Sequence, residues 1–116
     1  MSTAPASSAL SDQQYQQHTA DLLARIESTV DRWLQDDVVD IDTQRTGGLL
    51  ELSFPDGSKI IVNTQPPLHE VWLATRAGGY HYRWQDSAWH DTRDGSEFLE
   101  VLSRDASAQA GRALRF

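Results

Sequence analysis

The stretch Gly57–Ala74 constrains the fold of this chain most, because it reads as two strands joined by a corner that contains two prolines. Pro66 and Pro67 lack the backbone N–H that a strand donates to its neighbour, so strand pairing is expected to lapse at these residues. The chain then resumes as a strand at Glu70. The stretch therefore predicts two strands of one sheet with an abrupt corner between them.

One face of these two strands is predicted to carry an unusual combination of side chains. Because side chains alternate along a strand, Asn63 and Gln65 point away from the face that holds Ile60 and Val62. In the second strand the same alternation leaves Trp72 opposite the core. Amides beside a large aromatic ring are typical of a docking surface. The alternative, which the pattern leaves open, is that Trp72 is buried under the first helix and that both amides are turn residues.

Two amphipathic helices are predicted to flank the strands. The first begins at Ser11 or Asp12, either of which can cap it, and ends near Gln35. The second opens around Ser96, its expected cap, and ends at Gly111. The apolar stripe of the first helix, at three- and four-residue spacing, comprises Tyr15, Thr19, Leu22, Leu23, Ile26, Val30, Trp33 and Leu34.

The remaining strands complete an α+β fold. They are predicted at residues 38–42, Leu49–Phe54, Tyr80–Trp84 and around Trp89, with a turn over residues 76–79. The order of helix, about six antiparallel strands and helix predicts a two-layer α/β sandwich with two helices on one face of the sheet. We expect residues 1–11 to be a disordered leader and residues 12–116 to form a single domain.

Composition and motifs exclude several classes of function. The formal net charge of −7 argues against a nucleic-acid-binding protein. The absence of cysteine excludes disulfides, thiolate metal sites and a cysteine nucleophile. No run approaches the ~20 apolar residues of a membrane span. None of the four histidines has the spacing of an HExxH site, and there is no GxSxG, P-loop or dinucleotide fingerprint, so we expect no enzymatic activity.

The acidic residues are concentrated in one segment. The segment from Asp12 to Asp42 contains eight acidic residues and only two basic ones, Arg25 and Arg32. Such asymmetry suggests a cationic partner, which is either a metal ion or a basic protein surface. Hard cations prefer oxygen ligands, so a shallow, weak and solvent-exposed metal site is one reading. The other is a solvated helix face beside an edge strand that charge protects from pairing.

The sequence Asn63–Ala74 (NTQPPLHEVWLA), followed by Gly78-Gly79-Tyr80, closely resembles the signature of the frataxin family in its bacterial, CyaY-type form. The resemblance covers roughly residues 14–111 and implies the frataxin-like fold. It also implies a cytoplasmic iron-binding protein that takes part in and regulates iron–sulfur cluster assembly. Its implied partners are a cysteine desulfurase and an iron–sulfur scaffold protein. We expect a monomer, and whether metal drives oligomers stays open.

The resemblance also implies two sites. The first is an acidic ridge that binds Fe²⁺ or Fe³⁺ weakly and docks on the basic surface of the desulfurase. The acidic ridge comprises Glu27, Asp31, Asp36, Asp37, Asp40 and Asp42. The second is a partner-binding face, here called the docking face, formed by Asn63, Gln65 and Trp72. Ser28 and Arg32 stand where bacterial frataxins commonly carry further acids, which is expected to weaken the ridge as an iron site.

Three functions therefore stand as hypotheses. The first is an iron-binding regulator of iron–sulfur cluster assembly. The second is a pure protein-interaction module in which metal binding is incidental. The third, an iron-storage protein or ferroxidase, ranks last because the chain lacks the Glu-x-x-His pair of the di-iron helical bundles.

Overall fold

The structure, a computed structural model, describes residues 10–116. Its elements are, in chain order, α1 (Asp12–Gln35), β1 (Asp42–Thr46), β2 (Leu49–Ser53), β3 (Lys59–Gln65), β4 (Glu70–Thr75), β5 (Gly78–Gln85), β6 (Ala88–Asp91) and α2 (Phe98–Ala110). This order confirms the predicted α+β class. The predicted leader falls largely on residues 1–9, which lie outside the described part of the chain. Its last two residues belong to the start of the helix, because Leu10 packs against the core and Ser11 caps α1.

The six strands form one antiparallel sheet in sequence order, so each strand pairs with the next one along the chain. The corner between β3 and β4 is a short 3-10 turn over Pro66–Leu68 that ends at His69 in a left-handed conformation. Across this corner Val62 lies opposite Leu73, and Asn63 lies opposite Trp72. The register therefore sets an apolar pair on one face and a polar–aromatic pair on the other.

The core lies between the two helices and one face of the sheet. The sheet contributes Leu50, Leu52, Ile60, Val62, Val71, Leu73, Tyr82 and Trp89. The helices contribute Tyr15, Leu22, Leu23, Ile26, Val30, Phe98, Val101, Leu102 and Ala106. The opposite face of the sheet, here called the open face, is not covered by either helix. The predicted two-layer sandwich is thus confirmed.

The hydroxyl group of Tyr15 ties α1 to the corner between β3 and β4. It donates a hydrogen bond to the backbone carbonyl of Glu70 over 2.6 Å and accepts one from the backbone N–H of Gln65 over 2.9 Å. The ring is buried and stacks on His69 with the ring centroids 4.9 Å apart. One residue of the first helix therefore satisfies both strand ends where the prolines interrupt pairing.

The first strand was placed wrongly by the sequence. Residues 38–41 form an irregular connection, and β1 begins only at Asp42, so Asp40 is not part of a strand. The alternation of Val39 and Ile41 that suggested a strand arises because both side chains pack against the core from that connection. The true strand has five exposed side chains and no apolar period.

Three further predictions need correction. Leu34 is 51% exposed and does not belong to the buried stripe of α1. The turn between β4 and β5 consists of Arg76 and Ala77 only, because Gly78 already pairs with Thr75. The cap of α2 is Glu97 rather than Ser96: its carboxylate accepts the N–H groups of residues 99 and 100 over 2.8 and 3.2 Å. The predicted end of α2 at Gly111 is confirmed.

Two buried tyrosines should respond in opposite ways to loss of their hydroxyl group. Tyr15→Phe leaves two backbone groups at the corner without a partner, so we expect it to lower the free energy of unfolding by ~1–3 kcal/mol. Tyr82→Phe removes a buried hydroxyl that finds no hydrogen-bond partner among residues 10–116, so its effect should be neutral or stabilising. Urea denaturation at pH 7 measures both variants. A costly Tyr82→Phe, or a neutral Tyr15→Phe, would contradict this assignment.

Stability should fall in alkaline solution. Burial raises the pKa of Tyr82, as do the negative charges of Asp91 and Asp105, and burial also raises the pKa of Tyr15. Both groups therefore stay protonated in the folded state while the unfolded chain begins to lose these protons near pH 10. Their contribution is intact below about pH 10 and is lost as the pH rises towards the folded-state values. In a series from pH 8 to 11, the urea midpoints should decline above about pH 10, and the decline should be shallower in Tyr82→Phe.

Candidate docking site

Trp72 lies in the middle of the open face, in a row of side chains that crosses three strands. Asn63 stands opposite it on β3, and His81 stands opposite it on β5. The imidazole of His81 stacks on the indole with the ring centroids 4.2 Å apart and an angle of 6° between the planes. The indole is half-buried. The alternative in which Trp72 is buried under the first helix is therefore wrong, and so is the assignment of the two amides to a turn, because both lie in β3.

Glu70 is the unexpected member of this face. Its side chain is only 8% exposed although it projects from the open face of the sheet, in the row next to Trp72. One carboxylate oxygen accepts the indole N–H of Trp72 over 2.9 Å. The other accepts the guanidinium Nε–H of Arg83 over 2.9 Å. The carboxylate is thus satisfied on both oxygens, as a buried charge must be.

Gln65 lies at the end of the docking face, beside the corner. Its backbone N–H is held by Tyr15, and it stands opposite Glu70 in the register of β3 and β4. The three predicted residues of the docking face therefore lie on adjacent strands within two rows of the sheet. Whether they contact a partner stays a prediction.

A shallow groove of about 290 Å³ runs beside the indole. Ala74 and Gly79 face each other across β4 and β5 and leave open space above the sheet, since a Cβ atom at Gly79 would meet no atom within 4 Å. Trp72 and His81 form one side of the groove, and Ile61 lines it as well. The docking face is therefore a flat aromatic surface with an uncharged depression next to it.

The acidic ridge extends along α1 and the connection that follows it. Glu27 and Asp31 are four residues apart on α1, which places them on one side of the helix. Asp36 caps the end of the helix, and Asp37 follows in a left-handed conformation. Asp40 lies in the irregular connection before β1. Asp42, the first residue of β1, completes the ridge. Five of the six ridge residues are exposed, and Glu27 is half-buried.

Guanidinium groups reduce the negative charge of the ridge. Arg45 of β1 forms an ion pair with Glu27 over 2.8 Å, so this carboxylate is already engaged. Arg112, from the tail after α2, donates to the backbone carbonyl of Val38 inside the connection. Arg32 follows Asp31 directly in the chain. The ridge is therefore a mixed surface with an acidic excess.

The ridge does not form a compact chelating site. Within residues 10–116 no three or more His, Cys, Asp or Glu side chains lie close enough together to hold a metal ion. The residues present thus do not fit a closed site for iron, which would need several oxygen or nitrogen ligands converging on one point. Any metal ion held at the ridge would be bound by single carboxylates, and water would supply its remaining ligands.

Sequence reasoning missed three contributors to this surface. Alternation along β4 puts Glu70 on the open face with Trp72, but nothing in the pattern indicates that its carboxylate is buried. Alternation along β5 puts His81 on the open face, but its stacking on Trp72 depends on the register of β4 and β5. The helical spacing identifies Tyr15 only as part of an apolar stripe, because its hydrogen-bond partners are 50 and 55 residues away.

Neither helix in the described part of the chain has the length and apolarity that a membrane crossing requires.

The family model of the frataxin-like domain matches residues 8–112. This chain belongs to the frataxin family. Bacterial proteins named CyaY match it at 46–50% identity, which confirms the resemblance of Asn63–Ala74 to the bacterial, CyaY-type form.

Two relatives and one solved structure show how close the likeness is. The iron–sulfur cluster assembly protein CyaY of Variovorax paradoxus is 50% identical over 107 residues, which cover 92% of this chain and 97% of that protein. The protein of the same name from Verminephrobacter eiseniae is 46% identical, with 92% of this chain and 98% of that protein covered. The solved frataxin of Psychromonas ingrahamii superposes with a TM-score of 0.81 at 35% identity and covers 91% of this chain and 97% of its own.

Proposed function

We propose that this frataxin-family protein takes part in iron–sulfur cluster assembly as a non-catalytic regulator that docks on the assembly machinery. The observation that carries the proposal is near-complete coverage by relatives named iron–sulfur cluster assembly protein CyaY. The docking face supports it, because its aromatic and amide groups are presented on a rigid sheet. We further infer that residues 12–116 act as a single domain, since the helices and the sheet share one core.

The acidic ridge is the proposed contact for the basic surface of a cysteine desulfurase. Five of its six residues are exposed, and the chain as a whole carries a net charge of −7. Such a surface accelerates encounter with a basic partner, and the effect is screened by salt. The encounter rate should therefore fall as the ionic strength rises.

The docking face is the proposed contact for the iron–sulfur scaffold protein. Trp72 offers a large half-buried ring, and Asn63 offers an amide beside it on the neighbouring strand. Tryptophan is among the residues that dominate binding energy when they lie near the centre of an interface. Contact at this face would influence sulfur transfer and cluster formation without a chemical step by this chain.

Iron is proposed as a weakly held cargo of the acidic ridge. The spread of the six carboxylates and the ion pair between Glu27 and Arg45 both favour low affinity and little selectivity among cations. The second candidate function, an interaction module whose metal binding is incidental, is favoured by the same observation. The two candidate functions differ in whether iron occupies the ridge under the conditions in which the protein docks on its partner.

Truncation of Trp72 should weaken docking and leave the fold intact. Trp72→Ala should cost less stability than the roughly 3–5 kcal/mol typical of a core aromatic, because the ring lies on the open face. Its affinity for a bacterial iron–sulfur scaffold protein should fall ~30-fold or more if Trp72 is a hot spot. Calorimetric titration and urea denaturation measure the two effects.

Trp84→Ala is the matched control for this experiment. Trp84 is also half-buried, but it stacks on His18 of α1 with the ring centroids 3.8 Å apart, on the helix side of the sheet. The control should lose stability and keep scaffold affinity. A Trp72→Ala variant that unfolds, or that binds the scaffold as tightly as the wild type, would contradict the docking role.

Ferrous iron should perturb the NMR signals of the ridge, and the Fe²⁺ concentration needed should depend on the charge balance of the ridge. In an anaerobic NMR titration, Fe²⁺ should broaden amides within residues 27–42, and Glu27→Gln/Asp31→Asn should remove the effect. Arg45→Gln, which frees the Glu27 carboxylate, should do the opposite and lower the Fe²⁺ concentration needed. If millimolar Fe²⁺ gives no localised broadening in any variant, docking remains the only function of the ridge.

A further inference from the structure

We propose that Glu70 is a positioning residue of the docking face, whose buried carboxylate, held by Arg83, fixes the indole of Trp72 in the orientation that a partner meets. This inference rests on the proposed docking role of Trp72. It assigns to Glu70 and Arg83 a part in partner recognition that does not require either residue to touch the partner.

The distribution of exposure on the open face is the first argument. The side chain of Glu70 is 8% exposed, whereas those of His81 and Arg83, which flank it on β5, are 51% and 64% exposed. A carboxylate loses favourable hydration when neighbouring side chains cover it, so a surface strand would ordinarily leave it in water. Here the anion lies beneath the cationic and aromatic groups, which makes it an internal support for them.

The geometry of the carboxylate is the second argument. One oxygen accepts the indole N–H of Trp72 over 2.9 Å, and the other accepts the Nε–H of Arg83 over 2.9 Å. The backbone of Glu70 is also fixed, because its carbonyl accepts the hydroxyl proton of Tyr15 over 2.6 Å. Glu70, which accepts the indole N–H, is therefore held both at its backbone by Tyr15 and at its second carboxylate oxygen by Arg83.

The indole itself is held by two contacts. Its N–H is directed at Glu70, which sets the rotation of the ring, and one of its faces lies against His81 at 4.2 Å with the planes nearly parallel. A free tryptophan side chain on a sheet surface would sample several rotamers. With the N–H bonded and one face covered, a single rotamer is favoured before any partner arrives.

This pre-organisation should appear as affinity. A side chain that is already ordered loses less conformational freedom on binding, and the difference for one large side chain corresponds to a ~2- to 10-fold change in affinity. The groove beside Trp72 depends on the same rotamer, since the indole and His81 form one of its sides. Loss of the carboxylate should thus weaken docking even though Trp72 is still present.

The first measurement follows the indole in the free protein. The Trp72 indole N–H signal, assigned by its absence in Trp72→Ala, should exchange with water about tenfold faster or more in Glu70→Ala, as expected for loss of a hydrogen bond to a charged group. Glu70→Gln keeps an oxygen acceptor for the indole and should restore most of the protection. A purely structural role for Glu70 would lower stability without this selective change at one indole signal.

The second measurement is the affinity of the same variants for the bacterial scaffold protein. Glu70→Ala should bind ~2- to 10-fold more weakly than the wild type, with Glu70→Gln between the two. Glu51→Gln is the matched control. It removes the carboxylate of another ion pair on the open face, that of Glu51 with Lys59 at 3.0 Å, and should leave both the indole signal and the affinity unchanged.

The outcomes separate this inference from the docking proposal. The positioning role of Glu70 is overturned if the indole N–H of Glu70→Ala exchanges at the wild-type rate. It is also overturned if this exchange is faster but the scaffold affinity stays that of the wild type. If Trp72→Ala itself binds the scaffold normally, the docking role of Trp72 is overturned, and the inference that rests on it falls too. Faster exchange together with weaker binding, both largely restored by Glu70→Gln, supports the proposal.

Discussion

The antiparallel pairing of β3 with β4 is the interaction on which the rest of this structure depends. One register places Val62 against Leu73 on the helix side and Asn63 against Trp72 on the open side. A slip by one residue would exchange the two faces, burying polar groups and exposing the core. The core and the docking face are therefore products of the same hydrogen-bond ladder, and neither could form without the other.

The corner between these strands is stabilised from the opposite layer. Pro66 and Pro67 interrupt pairing at the strand ends, and the hydroxyl group of Tyr15 supplies the missing partners to Gln65 and Glu70. This contact links α1, which carries the start of the acidic ridge, to the strand that carries Trp72. The two proposed contact surfaces thus lie on elements that are tied together near the corner.

The two surfaces use different physics. The acidic ridge is exposed and only partly neutralised, which suits long-range attraction that salt screens. Beside the docking face lie a stacked aromatic pair, an uncharged groove and an ion pair whose carboxylate is buried, an arrangement that suits short-range contact. The proposed division between steering and docking rests on this arrangement, and it requires no catalytic group on this chain.

Much of the fold could be predicted because its signals are periodic. The alternation along β3 and β4 gave the correct faces for Asn63 and Trp72, and the three- and four-residue spacing gave α1. The first strand could not be found, because all five of its residues are exposed and the apolar residues before it pack from an irregular segment.

The contacts that shape the candidate site could not be predicted from the sequence, because they join residues that meet only in the folded chain. The burial of Glu70 depends on side chains from β4 and β5 that meet only after the strands have paired. The ion pair of Glu27 with Arg45 likewise joins residues that are 18 positions apart, on a helix and a strand. Patterns of residue type locate such groups on a face, but they do not show which of them will be neutralised or covered.

The most direct test of the account is the rate of cluster formation on the scaffold protein in a reconstituted system with cysteine desulfurase, cysteine and Fe²⁺, followed by visible circular dichroism. The account predicts that the wild-type protein changes this rate, and that the change disappears when either Trp72 is replaced by Ala or the ridge pair Asp36 and Asp37 is replaced by Asn. A wild-type protein that leaves the rate unaltered at saturating concentration would contradict it.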